Sequence, residues 1–363
     1  MALPPVGLFP AAPGISLLRN KKLNDAITAA ITGISGGKSQ PPAFSLTLVD
    51  LATGGASGSS LPMGGYKDDE EHYVASMAKI GVMYSAYALR DLVRRYAIAK
   101  KSATAQDLFT GVTADLNDAI ARSSSIVLGG SATRNHRIPH YNDVFNVTAL
   151  GASVEVRFRP EFIKALDKMI VPSDNTMAGR CVHGVGYSYL NAALEAGKMF
   201  DSSTKKGLWV AGDFSGGTDW PYVRIPSAND AEVAQASTSQ AVALLMAIIM
   251  RDAALDATSC KEMRERLGRA ARGDDPDGQG DESWLTRGDI PNHLDRAWVT
   301  HDKIGLGPLK AGGDVFSEVC VVSGVGGGTR SYVLAFQNFR PGTYRWQDLL
   351  SVIRGAIAAY EKP

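Results

Sequence analysis

The sequence predicts an α+β fold in which strands from both chain ends form an antiparallel sheet flanked by the terminal helices, beside an all-helical lobe. The first residues show a helix and an alternating strand, the last show three strand-like runs and a helix, and the middle is mainly helical in its apolar spacing. The sheet lobe is predicted to span residues 16–75 and 237–363, and the helical lobe residues 76–236, with an irregular loop over 207–236.

The N-terminal elements follow from two different apolar periods. In residues 20–34, Leu23, Ile27 and Ile31 recur at helical spacing and lie on one side. Residues 43–51 alternate apolar and polar side chains as a strand does, and the Gly- and Ser-rich stretch after them indicates a turn.

The middle of the chain is predicted to be helical. Residues 77–99 form one long segment that is apolar nearly all round at its start, which indicates a buried helix. Further helices are expected over residues 107–170, with a loop around 132–144, and a second helical stretch follows residues 172–180. Residues 207–236 carry clusters of Gly, Pro, Ser and Asp and are predicted to be irregular.

The C-terminal elements return to the sheet. A helix capped by Ser and Thr begins near Ser237. Three strand-like runs and a closing amphipathic helix follow, over residues 296–305, 316–324, 330–339 and 346–362.

Composition excludes several classes of function. The 363 residues are 45% hydrophobic and 21% charged with a net charge of +1, so neither nucleic acid nor an anionic membrane surface is an expected partner. The longest apolar run, from Ala241, is about half as long as a membrane span. Cys181, Cys260 and Cys320 form no C-x-x-C pair, and neither a metal nor a cofactor is expected.

The N-terminus lacks a basic segment before its apolar residues and does not read as a secretory signal. The compartment stays open, since a periplasmic protein whose leader has been removed would look the same as a cytoplasmic one. The oligomeric state stays open as well.

A serine and a lysine three positions apart, Ser76 and Lys79, open the buried helical segment. A serine hydroxyl becomes a good nucleophile only with a base in hydrogen-bond reach, and positions i and i+3 of a helix lie on one face. Lysine serves as that base only if its pKa falls, and burial together with a second cation, here Lys303, lowers it. At the start of the helix, free amides favour the negative charge that develops in the reaction.

The same spacing occurs elsewhere and is weak evidence alone. It recurs at Ser35, Ser202 and Ser203, each followed three residues later by lysine, in glycine-rich or polar surroundings. Context therefore has to distinguish Ser76 from these decoys, and the alternative for Ser76 is a helix cap beside an unrelated lysine.

Three motifs in a fixed order supply that context: Ser76-Met77-Ala78-Lys79, Ser173-Asp174-Asn175 and Lys303-Ile304-Gly305. Together they resemble the penicillin-recognising serine enzymes, which are the class A β-lactamases and the penicillin-binding proteins. The resemblance covers the motifs and the order of elements over roughly residues 20–360.

The resemblance implies a role for each motif residue. Ser76 would be the nucleophile and Lys79 its base, Ser173 would pass a proton to the leaving group, and Lys303 would supply positive charge. For the substrate, the family pattern implies that Asn175 offers its amide, that Gly305 allows close approach, and that the Leu306 backbone N–H joins that of Ser76 in an oxyanion hole. Asp174 is expected to be structural.

Two departures from the family pattern bear on the substrate. Ile304 stands where the family has Thr or Ser, which removes a hydroxyl that helps to bind a carboxylate. The Glu-x-x-Leu-Asn motif that activates the deacylating water in class A enzymes is missing between residues 207 and 237, and Asp219 is the nearest candidate for that role.

The sequence therefore predicts a serine hydrolase that forms an acyl-enzyme with a small-molecule or peptide-like amide, of the β-lactam type, or with an ester. The alternatives are a penicillin-binding or D,D-peptidase-like acyltransferase with slow deacylation, and a catalytically weak binding protein on the same scaffold. A zinc site at His136 and His140 is disfavoured because Pro139 intervenes. A Ser-His-Asp triad using His301 is a further minor alternative.

Overall fold

The computed structural model describes residues 6–52, 60–124, 133–150, 153–214, 223–275, 277 and 282–362. Its strands are β1 (Ser16–Arg19), β2 (Ser45–Asp50), β3 (Ser60–Tyr66), β4 (His72–Tyr73), β5 (Phe145–Leu150), β6 (Ser153–Phe158), β7 (Phe200–Asp201), β8 (Lys206–Gly207), β9 (Trp209–Val210), β10 (Ile225–Ser227), β11 (Ala231–Val233), β12 (Gln235–Ser237), β13 (Val299–Pro308), β14 (Asp314–Ser323) and β15 (Ser331–Phe339).

Its helices are α1 (Lys21–Ser35), α2 (Lys79–Lys100), α3 (Ala105–Ala121), α4 (Arg134–Arg137), α5 (Tyr141–Val144), α6 (Pro160–Ile170), α7 (Asn175–Val185), α8 (Tyr187–Ala196), α9 (Ser239–Met250), α10 (Ala257–Arg272) and α11 (Trp346–Glu361). Short 3-10 turns lie at Ala75–Ala78, Trp284–Thr286, Arg296–Trp298 and Val325–Gly327.

A six-stranded sheet built from both chain ends confirms the predicted α+β fold. The strand order is β1-β3-β2-β15-β14-β13, so that β13 occupies one edge. Neighbouring strands are antiparallel except β1 and β3, which pair in parallel and are an addition to the predicted antiparallel sheet.

The two faces of this sheet bury different layers, as the alternation along each strand requires. On β15, Leu334 and Phe336 join a core shared with α1 and α11, so that both terminal helices cover one face as predicted. Val333 and Ala335 point to the other face, against α9. That second core continues without a break into α2 and the helices around it.

The α2 helix is buried along most of its length, in agreement with its nearly all-round apolar sequence. It packs against α6, α7 and α8 and is the centre of the helical part of the molecule. The division into lobes at 16–75 with 237–363 and at 76–236 stays a prediction.

Two expectations for the middle of the chain are wrong in detail. Residues 145–150 and 153–158 form the paired strands β5 and β6 where helices were expected, and the β-branched, alternating character of these residues favours strands. Part of the segment 207–236 is also ordered, because β9 and β12 form a three-stranded sheet with β4.

None of the helices in the described residues is long and apolar enough to cross a membrane.

Glu71, the residue immediately before β4, has a buried carboxyl group that contacts strand β8. The Gly207 amide donates a hydrogen bond of 2.8 Å to Glu71 Oε2, whereas Glu71 Oε1 is buried without a hydrogen-bond partner among the described residues. Burial raises the pKa of Glu71 to about 8, despite the opposing effects of the Gly207 amide and the Lys206 charge. In the folded protein, the Glu71 carboxyl group therefore keeps its proton to a higher pH than it does in the unfolded chain.

We predict that Glu71→Gln changes how stability depends on pH. Because the folded pKa lies above the ordinary value of 4.5, the wild-type contribution is fully present below pH 4.5 and is lost as pH rises through 8. The variant cannot ionise, so it should gain on the order of 3 kcal/mol relative to wild type between pH 4.5 and pH 9.

Urea unfolding of both proteins at pH 4.5, 7 and 9 measures this difference. Asp289→Asn is the control, because the Asp289 side chain is 70% exposed and pairs with Arg287, so this substitution leaves the surroundings of Glu71 unchanged. A Glu71→Gln difference that is the same at all three pH values would contradict the assignment.

Candidate active site

Ser76 lies on the 3-10 turn that leads directly into α2. The turn is closed by a hydrogen bond of 3.2 Å from the Met77 amide to the Val74 carbonyl. Ser76 is partly exposed whereas its neighbours Ala75 and Met77 are buried. No hydrogen bond holds the Ser76 hydroxyl within the described residues, which leaves it at the surface of a rigid, apolar turn.

Lys79 is the first residue of α2 and is fully buried. Its Nζ donates to the Ser173 carbonyl oxygen and to Asn175 Oδ1, the latter at 2.7 Å. Ser173 Oγ lies 3.4 Å from the same nitrogen. A buried amine requires such oxygen partners, and here the second motif provides them.

Ser173 joins two lysines from distant parts of the chain. Its hydroxyl accepts a hydrogen bond of 2.8 Å from Lys303 Nζ while it lies 3.4 Å from Lys79 Nζ. Lys303 is only 1% exposed, so both amines are withdrawn from bulk water. The Ser173 backbone has a φ of +60°, a conformation that costs a non-glycine residue free energy and turns both its carbonyl and its hydroxyl toward Lys79.

The other two residues of the second motif divide between structure and site. Asp174 is the N-cap of α7 and accepts a hydrogen bond of 2.9 Å from the Met177 amide, which agrees with its expected structural role. Asn175 points its side-chain oxygen toward Lys79, so the side-chain nitrogen of Asn175 points away from Lys79. The motif is thus both a helix cap and a part of the lysine cluster.

Edge strand β13 brings the third motif against the 3-10 turn. A Cβ at Gly305 would lie 2.2 Å from the Val74 carbonyl oxygen and 2.9 Å from the Met77 amide nitrogen, so the two backbones touch on either side of Ser76. The close approach at Gly305 is therefore made by the protein's own backbone, and contact of Gly305 with a substrate stays a prediction.

The remaining residues of β13 alternate as a strand requires. Lys303 and Gly305 face the turn, whereas Ile304 is 5% exposed and packs in the core shared with α1 and α11. The Ile304 side chain therefore points away from the 3-10 turn that carries Ser76. Leu306 is 46% exposed at the sheet edge, and its proposed role in an oxyanion hole concerns only its backbone.

The structure thus brings together Lys79, Ser173, Asn175 and Lys303, with Ser76 on the adjoining turn. Asp219, the candidate for activation of water, lies outside the described residues.

Sequence reasoning missed one side chain in this cluster. The ring centroid of Phe214 lies 5.3 Å from Lys79 Nζ, and Phe214 is 8% exposed. Its φ of +64° is rare for a bulky residue. No motif marks this position, and the only local signal in the sequence is a nearby glycine, Gly212.

The decoy serines have different surroundings. The Ser35 hydroxyl donates back to the Ile31 carbonyl within α1, and its partner Lys38 forms an ion pair of 2.9 Å with Asp348. Ser202 and Ser203 lie in the β7–β8 turn and donate to the nearby carboxylates of Glu195 and Asp201, respectively.

The structure also shows the surroundings of the histidines that were considered for a Ser-His-Asp triad and for a zinc site. His301 packs its ring against Gly268 of α10, and burial lowers its pKa to about 4. The His136 ring lies 6.2 Å from that of His183, at the far end of α7 from Asn175. The described residues contain no cluster of three or more His, Cys, Asp or Glu side chains suited to a metal ion.

Comparison with known proteins finds likeness in structure and not in sequence. No protein-family model matches the chain, and no curated protein matches it. Among solved structures it is similar to a β-lactamase from Sphaerobacter thermophilus DSM 20745, with 15% identity, a TM-score of 0.46, and coverage of 93% of this chain and 97% of that one.

Two more solved structures show the same degree of similarity. A class A β-lactamase from Bacteroides cellulosilyticus DSM 14838 is 12% identical with a TM-score of 0.49, and 94% of this chain and 98% of that one are covered. A protein named PBP-A is 13% identical with a TM-score of 0.46, and the coverage is 96% and 99%. These are likenesses of overall architecture, and no residue's role follows from them.

We predict that Gly305→Ala disrupts the contact between β13 and the 3-10 turn. The added Cβ meets backbone at 2.2 Å, so the strand or the turn must move, which should cost about 1–3 kcal/mol of unfolding free energy. Reaction of Ser76 with a fluorophosphonate should slow at least about tenfold.

Gly342→Ala is the control. Among the described residues, no atom beyond the two chain neighbours lies within 4 Å of the Cβ that this substitution would add, so it should leave stability and the labelling rate nearly unchanged. Equal effects of the two substitutions on the rate of labelling would argue against a special contact at Gly305.

A pair of substitutions at Ser173 separates backbone strain from proton transfer. Ser173→Gly and Ser173→Ala both remove the hydroxyl, so each should reduce labelling of Ser76 about 100-fold or more. Only glycine relieves the left-handed backbone, whose strain of about 1–2 kcal/mol exceeds the entropic cost of glycine.

The glycine variant should therefore be more stable than the alanine variant by about 1 kcal/mol in urea unfolding. If either variant kept the wild-type labelling rate, the hydroxyl would have no part in the chemistry.

Proposed function

We propose that the protein is a serine acyl-transfer enzyme, and in the first instance a hydrolase, acting on an amide of the β-lactam type or on an ester. The observation that carries this proposal is the single Ser173 hydroxyl shared by the Lys79 and Lys303 amines. A proton-conducting group between two buried amines, beside an unengaged serine, is an arrangement suited to acyl transfer.

In the proposed acylation, Ser76 Oγ attacks the substrate carbonyl and its proton passes to the neutral Lys79 amine. The C–N or C–O bond of the substrate then breaks, and the proton moves from Lys79 through Ser173 Oγ to the leaving nitrogen or oxygen. Because the Lys303 amine donates to Ser173 Oγ, the hydroxyl hydrogen of Ser173 is directed away from Lys303, which favours this relay.

The substrate carbonyl oxygen is assigned to the backbone amides of Ser76 and Leu306. The contact of Gly305 with the backbone of Val74 and Met77 supports this assignment, because it brings the two chain segments together at the correct register. The Asn175 amide nitrogen is assigned to a second substrate carbonyl, and Lys303 provides positive charge for an anionic group.

A second candidate is an acyltransferase of the penicillin-binding type that hydrolyses its acyl-enzyme slowly. The observation that favours it is the Phe214 ring beside Lys79, because an apolar group there leaves little room for an activated water. A catalytically weak binding protein is the alternative from a different class.

Intact-mass spectrometry distinguishes these functions. The protein is incubated separately with a β-lactam and with a fluorophosphonate, and its mass is followed with time. Turnover of the β-lactam without accumulation of an adduct is expected for the hydrolase, and a persistent adduct on Ser76 is expected for the acyltransferase. A folded protein that neither probe labels would overturn the enzyme proposal.

Lys79→Met tests the proposed base. It removes the amine while retaining most of the side-chain volume, so labelling should fall about 10²–10⁴-fold while stability stays close to wild type or rises. Lys38→Met removes the lysine of the Ser35 decoy and should leave labelling unchanged. Wild-type labelling by Lys79→Met would remove this lysine from its role.

A further inference from the structure

The segment that carries Phe214 is fixed firmly over the candidate site. Asn191 of α8 is buried, and its side chain forms hydrogen bonds with both the amide and the carbonyl of Val210, at 3.0 and 2.7 Å. The Ala211 amide donates to the Ala234 carbonyl at 2.7 Å. The chain is therefore held immediately before it crosses α7.

The crossing point leaves no space for a side chain on α7. A Cβ at Gly179 would lie 3.1 Å from the Asp213 carbonyl oxygen, so the segment rests directly on the helix, one turn after Asn175. The next residue, Phe214, adopts a φ of +64°. The surroundings thus maintain a costly backbone conformation, and its consequence is an aromatic ring packed beside Lys79.

Resting on the second candidate function above, an acyltransferase that hydrolyses its acyl-enzyme slowly, we propose that Phe214 is a positioning residue that shields the Lys79 amine and the acylated Ser76 from water, so that the acyl-enzyme is long-lived. The ring lies 5.3 Å from Lys79 Nζ, which also donates hydrogen bonds to the oxygens of Ser173 and Asn175. An apolar ring neither activates water nor holds it by a hydrogen bond.

The proposal concerns the second half of the reaction. In deacylation a water attacks the ester carbonyl, gives its proton to the neutral Lys79 amine, and Ser76 Oγ recovers a proton as the C–O bond breaks. Acylation needs no water, because the attacking oxygen belongs to Ser76. A ring that excludes water therefore slows deacylation directly, because water is a reactant in that step alone.

The first test measures access of solvent to Lys79 and does not depend on enzymatic activity. Reductive methylation with formaldehyde, followed by peptide mass spectrometry, is applied to the wild type and to Phe214→Ala. Lys79 should stay unmodified in the wild type and react at least about tenfold faster in the variant.

Two other lysines are internal controls in the same digest. Lys21, which is 89% exposed, should react equally in both proteins, and the buried Lys303 should stay unmodified in both. Equal reactivity of Lys79 in the two proteins would overturn the proposal. Simultaneous exposure of Lys303 would indicate general loosening of the fold and would also overturn it.

The second test measures the lifetime of the acyl-enzyme after rapid removal of excess β-lactam. Phe214→Ala should shorten it about tenfold or more. Phe214→Leu retains apolar bulk and should keep a lifetime near that of the wild type.

These outcomes separate the two proposals. An adduct whose lifetime is the same in the wild type and in Phe214→Ala refutes the shielding role and leaves the proposed enzyme function intact. A wild type that turns the β-lactam over without accumulating an adduct refutes the shielding role and supports the hydrolase. A folded wild type that neither the β-lactam nor the fluorophosphonate labels refutes the enzyme function, and the methylation experiment still decides whether Phe214 covers Lys79.

Discussion

The candidate site depends on one hydroxyl group held between two buried amines. Lys79 and Lys303 are almost completely removed from bulk water, so their N–H groups require oxygen partners within the protein. Ser173 offers an oxygen to both amines, and Asn175 offers another to Lys79. The strained backbone of Ser173 is understandable in these terms, because it lets one residue present two oxygens to the same amine.

Much of this arrangement could be predicted from sequence because its signals are local. The spacing of Ser76 and Lys79 at the start of an apolar helix predicts both burial and a shared face, and the structure has Lys79 buried at that helix end. The alternating strands and the apolar period of the terminal helices likewise predict the main sheet and the layer that covers it. The predicted proximity of Lys303 to the second motif rested on a family resemblance.

The features that sequence reasoning missed arise from contacts between distant residues. The motif that contains Gly305 indicates a close approach at this residue, but it does not show that the backbone of Val74 makes that approach. Phe214 has no motif, since its position is set by Asn191 and by the crossing of α7 at Gly179. The parallel pairing of β1 with β3 is equally invisible in local periodicity.

The wide separation of these residues along the chain has a consequence for the order of folding. Ser173 joins partners 94 residues before it and 130 residues after it, so neither contact forms until long loops have closed. Contacts of such long range form slowly, whereas α2 and the α1–β2 region can order early. The cluster around Ser173 should therefore be among the last parts of the molecule to form during refolding.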